Sequence, residues 1–172
     1  MPSLSILGPG DLQAFLEARH IQGELLHLNT PTPTVETAAL AVDALPEQIV
    51  KSILFLVDGQ PVLAVTCGTS YVERRAISAR FGVGRKKVKL AAPEVVTGET
   101  GFLVGAMPPF GHRQPLPTLI DRRVLEKPVV YAGGGSDYTL LRLDPRTILQ
   151  VTNGEVLDLI TPPGGEAELI DA

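Results

Sequence analysis

Two apolar, β-branched runs flank one Asp-Gly pair: Ile49 to Val57 precedes Asp58-Gly59, and Pro61 to Thr66 follows it. Asp-Gly tolerates the positive φ angles of a tight two-residue turn, so this spacing predicts a hairpin of two largely buried strands. The rest of the chain has to pack around that hairpin. Gly8-Pro9-Gly10-Asp11 precedes Leu12, Phe15, Leu16 and Arg19, and the spacing of three and four predicts a helix over 10–20. Glu24 to Leu28 reads as a strand, and the two prolines of the next segment make 29–34 a loop. Thr34 is placed to cap a short helix running through Leu40 and Val42, and Pro46 opens the next turn.

Beyond the hairpin, Val72 to Phe81 predicts a helix, Val88 to Leu90 a brief strand and Pro93 to Val96 a helical turn. Phe102-Leu103-Val104 reads as a strand. Gly105 to Pro117 contains four prolines and two glycines, which exclude a regular element. Leu119-Ile120 and Val129 to Tyr131 read as buried strands, and Gly133-Gly134-Gly135 as a flexible turn into a strand over Tyr138 to Leu143. Asp144-Pro145 supplies a cap and first turn for a helix through Val151, and Val156 to Ile160 a last strand. This order lacks the βαβ alternation of a doubly wound sheet. It predicts an α/β (α+β) domain with a mixed, largely antiparallel curved sheet flanked by helices. The domain is expected over 1–160, followed by a flexible acidic tail over 161–172.

The charge is uneven. The net charge is −4, yet seven of the 15 basic residues fall between Arg74 and Lys89, a window with no Asp or Glu. Such a patch can attract phosphates on an acidic protein, and Arg74, Arg75, Arg85, Lys86 and Lys87 are the candidates. The alternative is a solvated face. A single cysteine, Cys67, excludes an internal disulfide and fits a reducing compartment. The first residues lack the pattern of a signal peptide, and the longest apolar run is far too short to span a bilayer. A cytoplasmic protein without membrane contact is the expectation.

Several chemistries lack their motif. The run GVGRKK at 82–87 misses the spacing of a phosphate loop, and Gly133 to Gly135 completes no dinucleotide fingerprint. Three scattered histidines and one cysteine offer no metal-ligand spacing, so neither metal nor cofactor is expected. Cys67, at the end of an apolar strand, is a nucleophile only if a base lies near it; otherwise it is a small buried hydrophobe. Lys51 shares a strand face with Ile49, Ile53 and Phe55, where an unpaired ammonium is costly to bury. It either snorkels to water at a strand end or serves a site.

Three segments carry a resemblance. Pro46-Glu47-Gln48-Ile49-Val50-Lys51-Ser52-Ile53-Leu54-Phe55 is one. Thr100-Gly101-Phe102-Leu103-Val104-Gly105-Ala106-Met107-Pro108-Pro109-Phe110-Gly111-His112, with Leu116 to Asp121 after it, is the second. Val130-Tyr131-Ala132-Gly133-Gly134-Gly135 is the third. Together, over about residues 10–160, they resemble the YbaK/prolyl-tRNA-synthetase-associated editing-domain family, with its lysine-bearing strand, its G-x-x-x-P loop (here Gly105 to Pro109) and its glycine-rich turn.

The resemblance implies a free-standing hydrolase of mischarged aminoacyl-tRNA, with an aminoacyl-tRNA synthetase as a second candidate partner. It implies that Lys51 lies in the substrate pocket, binding the terminal phosphate or polarising the ester. The amides of Gly105, Ala106 and Met107, with those of Gly133, Gly134 and Gly135, would stabilise the oxyanion. Thr30, Pro108, Pro109, Phe110, His112, Ser136 and Asp137 would contact substrate. His112 is a candidate base, its alternative being a solvent-facing loop histidine. Leu140 stands where some members carry an acid, and Met107 and Pro108 replace smaller or hydroxyl residues, so amino-acid specificity does not carry over. Two other readings stay open: a binding module without turnover, and a small-ester hydrolase using Cys67.

Overall fold

In the computed structural model, which describes residues 5–160, the hairpin forms as its turn chemistry dictates. Strand β2 (Val50–Val57) pairs antiparallel with β3 (Gln60–Cys67). Asp58 and Gly59 both take positive φ, at 49° and 82°, which gives the turn the twist of its strands. Strand β4 (Val88–Leu90) pairs with the far half of β2, while β5 (Thr118–Asp121) and β8 (Glu155–Leu157) extend the other side in parallel. The resulting sheet has the order β4-β2-β3-β5-β8. A second sheet, β1-β7-β6, is built from β1 (Glu24–His27), β6 (Val130–Ser136) and β7 (Thr139–Leu143). One parallel bridge, Ile49 to Tyr131, joins the sheets.

The helices start and stop where local chemistry says. Helix α1 (Pro9–Ala18) begins on proline, with the Asp11 carboxylate accepting from the Gly8 N–H at 2.8 Å; Leu12 and Leu16, one turn apart, are buried. In α2 (Val35–Ala41) the Thr34 hydroxyl accepts from the Thr37 N–H at 3.1 Å. Helices α3 (Arg74–Phe81) and α4 (Pro93–Thr100) end on Gly82 and Gly101 in the left-handed region. Helix α5 (Pro145–Thr152) is capped by Asp144, whose carboxylate accepts from the Arg146 N–H at 2.9 Å.

The larger sheet is buried on both faces. Val50 and Leu54 of β2 enter one core with Leu12, Phe102, Ile120 and Leu141; Ile53, Phe55 and Val57 enter a second with Ile77 and Leu159. That two-sided burial explains why the hairpin strands are apolar throughout. The expected mixed α/β single domain is present, with the strands shared between two sheets rather than one. Four local expectations are corrected. Phe102 to Val104 forms no strand: Phe102 is buried as a core plug and the chain turns after it. Gly133 to Gly135 belong to β6, not to a turn; the chain reverses at 137–138. The turn from Pro93 continues to Thr100 as α4. The last strand is shorter than expected, with Ile160 contributing only a bridge to Val72. The tail expected over 161–172 lies outside the described residues.

A buried carboxylate ties the end of this domain to its centre. Asp121, fully buried, accepts from the N–H groups of Leu159 at 2.7 Å, Ile160 at 3.2 Å and Arg123 at 2.9 Å. Asp121→Ala would strand those donors and is expected to cost about 3 kcal/mol, because removing one partner leaves desolvated groups unmatched. Urea unfolding checks this; a loss under about 1 kcal/mol would mean that the clamp contributes little.

Candidate functional site

A cavity of about 240 Å³ opens where the two sheets separate. Its walls come from the segment before α2 (Thr32, Pro33, Thr34), the near half of β2 (Val50 to Leu54), the start of α4, the turn at Val104-Gly105, and β6 at Tyr131 to Gly133. Most of the lining is aliphatic, including Val35, Ala38, Val96, Met107 and Leu140.

Lys51 lines this cavity, half-buried, and its Nζ donates to the Ser70 carbonyl at 3.1 Å. Burial holds its ammonium below the usual lysine pKa, opposed by the negative charges that Cys67 and Glu36 can carry. The lysine is therefore neither a free surface side chain nor an orphaned core charge.

The loop and glycine segments meet beside it. Gly105 and Met107 line the cavity, as does Gly133. Gly133 is there because nothing larger fits: a Cβ would stand 2.4 Å from the Met107 carbonyl oxygen. The next two glycines are equally constrained, Gly134 against Thr139 and Gly135 against Gly8 and Pro9, and Gly135 takes φ of 99°. The triplet thus permits close packing of β6 rather than a turn.

This packing alters the expected set of oxyanion donors. The Gly135 N–H donates to the Ala106 carbonyl at 2.9 Å, and the Ala106 N–H to the Leu103 carbonyl at 3.2 Å. These two amides brace the loop and are engaged within the protein. Ala106, Gly134 and Gly135 do not line the cavity, leaving Gly105, Met107 and Gly133 as the members of the two sets that do.

Other expected substrate contacts are placed elsewhere. Pro108, Pro109 and Phe110 are buried behind the loop, and Phe110 stacks on Phe15 with centroids 5.8 Å apart. His112 is not a solvent-facing histidine. Its Nε2 lies 2.8 Å from the Pro108 carbonyl, its ring meets the edge of Phe102, and burial pushes its pKa below the usual value. Thr30 is exposed outside the cavity; Thr32, two residues on, lines it. Ser136 and Asp137 hold the β6–β7 turn, the Ser136 hydroxyl 2.9 Å from that of Thr139 and the Asp137 carbonyl accepting from the Thr32 N–H at 2.9 Å.

Cys67 is buried at the end of β3, and burial together with nearby carboxylates, Asp121 foremost, pushes its thiol up to about 11. That is the opposite of an activated nucleophile. The basic window divides. Arg74 and Arg75 begin α3, beyond Ser70, whereas Arg85, Lys86 and Lys87 sit exposed at the opposite end of β2, with Lys87 3.6 Å from Asp58. Val88 pairs with Val57, so this second group lies about 17 Å along the strand from Ser52. Among the described residues, no helix is long and apolar enough to cross a membrane, and no three His, Cys, Asp or Glu are grouped to hold a metal.

Sequence reasoning missed Ser52, Thr32, Ala91 and Val96 as cavity residues. Only Ser52 left a trace, as a hydroxyl inside an otherwise aliphatic strand run beside the lysine.

The match of sequence and fold defines the class, with the aliphatic cavity, its one lysine and its glycine-tight loop as the candidate site: an aminoacyl-tRNA editing domain. The chain belongs to that family, whose model, the aminoacyl-tRNA editing domain, matches residues 29–151. It is similar to a solved structure of a candidate trans-editing enzyme for prolyl tRNA synthetase, 33% identical, with a TM-score of 0.82, covering 90% of this chain and 97% of that one. It is 25% identical over 138 residues to a proline–tRNA ligase of Streptococcus equi subsp. equi, covering 79% of this chain but only 22% of the ligase. It is also 25% identical over 101 residues to a candidate Cys-tRNA(Pro)/Cys-tRNA(Cys) deacylase of Enterococcus faecalis, covering 59% of this chain and 60% of that one.

Gly133→Ala is expected to lower thermal stability and to abolish ligand binding at the cavity, since the new methyl would force apart β6 and the Met107 carbonyl. Thermal melting of the purified variant checks this; an unchanged midpoint would show that the loop yields without cost.

Proposed function

We propose that this protein is a trans-editing deacylase that hydrolyses mischarged aminoacyl-tRNA. Family membership supports the reaction class, and the single observation that carries the substrate reading is the cavity. At about 240 Å³ it falls below the roughly 300–1,000 Å³ of sites that enclose drug-sized ligands. It suits the aminoacyl group alone, with the terminal nucleoside of the tRNA outside it. The aliphatic walls, with Leu140 in place of an acid, favour an uncharged amino acid.

In the reaction water adds to the ester carbonyl carbon, the bond from that carbon to the ribose oxygen breaks, and the ribose oxygen takes up a proton. An aminoacyl ester is already activated, so positioning and electrostatic stabilisation carry much of the catalysis. Lys51 has three N–H donors, and its bond to Ser70 leaves capacity for a terminal phosphate or the ester oxygen. Gly105, Met107 and Gly133 let the main chain approach the aminoacyl group. A ribose hydroxyl of the substrate is the proposed proton relay, since His112 is bound to Pro108 away from the cavity. The likeness to proline–tRNA ligases and to a candidate trans-editing enzyme favours tRNAPro as the tRNA and the prolyl synthetase as the partner enzyme.

The test is a panel of mischarged tRNAs. The wild-type protein is expected to deacylate at least one, Lys51→Ala to lose about 100-fold or more in kcat/KM, and Cys67→Ser to stay within about twofold. No deacylation of any member, or full activity in Lys51→Ala, would overturn the reading. Loss in Cys67→Ser with Lys51→Ala unaffected would favour the small-ester alternative.

The exposed basic group bears on tRNA. Reversing the charge at Arg85, Lys86 and Lys87 together is expected to weaken tRNA binding and flatten its salt dependence, while leaving hydrolysis of a minimal aminoacyl-adenosine unchanged. Filter binding across a salt series reads the slope; an unaltered slope would place the tRNA on another face.

A further inference from the structure

The cavity's most unusual wall is the outer edge of β2. Strand β4 stops pairing at Leu90, opposite Phe55, and the Ala91 N–H closes the next position by donating to the Leu54 carbonyl at 3.0 Å. From the other end, β6 makes its single bridge at Ile49. The next pairs in that parallel register would be Val50 with Ala132 and Lys51 with Gly133, and neither is formed. Ser52 falls in the gap. Consecutive residues of an antiparallel strand point their backbone groups to opposite edges. The Ile49 carbonyl receives the Gly68 N–H on the β3 side and that of Leu54 faces away, so the N–H and C=O of Ser52 face away too, toward the gap.

The side chain of Ser52 adds a second observation. Ser52 lines the cavity between Val50 and Leu54, and its hydroxyl is buried without a hydrogen-bond partner. A buried hydroxyl without a partner is destabilising, and a ligand that supplied the partner would remove that cost. The same strand position therefore offers an N–H and a hydroxyl at one spot on an otherwise aliphatic wall.

We propose that Ser52 binds the ester carbonyl of the aminoacyl group, its hydroxyl and its N–H donating to that oxygen as it becomes the tetrahedral oxyanion. This rests on the deacylase reading and assigns to Ser52 a catalytic part that the amides of Ala106 and Gly135, engaged within the protein, do not fill. Water adds to the carbonyl carbon, the π electrons move onto the oxygen held by Ser52, and they return as the ribose oxygen leaves with its proton. Ser52 neither gains nor loses a proton over the cycle. Lys51, the neighbouring residue on the opposite face of the strand, acts on the nucleotide side of the ester.

The experiment compares wild type, Ser52→Ala and Ser52→Thr in two assays. One is single-turnover deacylation of the tRNA that wild type hydrolyses. The other is binding of a non-hydrolysable 3′-aminoacylamino-adenosine, in which an amide replaces the ester. Ser52→Ala is expected to lose about 100-fold in kcat with a smaller change in KM, and to bind the amide about five- to tenfold more weakly. Its melting temperature should be unchanged or raised, because the lost hydroxyl has no partner in the protein. Ser52→Thr, which keeps a hydroxyl, should recover part of the rate. Deacylation within twofold of wild type in Ser52→Ala would overturn the proposal. So would a fall in activity matched by a fall in melting temperature with no rescue by Thr. Should wild type deacylate nothing, the editing reading fails by itself, and equal amide binding by wild type and Ser52→Ala would overturn the role of Ser52 separately.

Discussion

The site depends on one failure of pairing. The two sheets touch through the Ile49–Tyr131 bridge and then part. The pairs that would extend this register, Val50 with Ala132 and Lys51 with Gly133, are absent, and Gly133 is pressed against the Met107 carbonyl so closely that no Cβ could fit. The loop at 105–107 packs against β6 at this point, and the space between β6 and β2 is the cavity.

The surrounding structure keeps that gap fixed. The Gly135 N–H and the Ala106 carbonyl tie β6 to the loop, and the loop's own turn is closed by the Ala106 N–H on Leu103. Phe102 and Phe110 anchor the loop's two ends in the core. On the far side, Asp121 holds Leu159 and Ile160, Ile160 bridges Val72, and the segment leading into Val72 supplies the carbonyl that receives Lys51. The lysine is thus positioned through a chain of contacts that begins at a buried carboxylate. Chemistry that relies on placement rather than on a strong acid or base requires this rigidity.

Much of the frame was legible in the chain. The hairpin followed from Asp58-Gly59 between apolar runs, and the starts of α1, α2, α4 and α5 from Pro9, Thr34, Pro93 and Asp144-Pro145, because turn and cap preferences act over a few residues. Other assignments misread the local signal. Phe102 to Val104 looks like a strand because its residues are apolar, yet Phe102 is buried without pairing. Gly133 to Gly135 looks like a turn because glycine is common in turns, yet here its missing side chain admits a neighbouring backbone. His112 sits in a proline-rich loop, which suggests exposure, but the loop folds inward and its carbonyl binds the ring.

By itself the sequence determined the hairpin, the helix ends, the three segments that resemble the editing family and the presence of a lysine on an apolar strand face. These are properties of short range or of residue identity. Only the tertiary structure decided that Lys51 points to Ser70, that two of the expected amides are already engaged, that the basic window splits between opposite ends of β2, and that Ser52 stands in an unpaired stretch of strand edge. Whether a backbone or side-chain group is satisfied depends on atoms supplied by segments up to about a hundred residues away. No pattern along the chain records which of those segments will arrive and which will stop short.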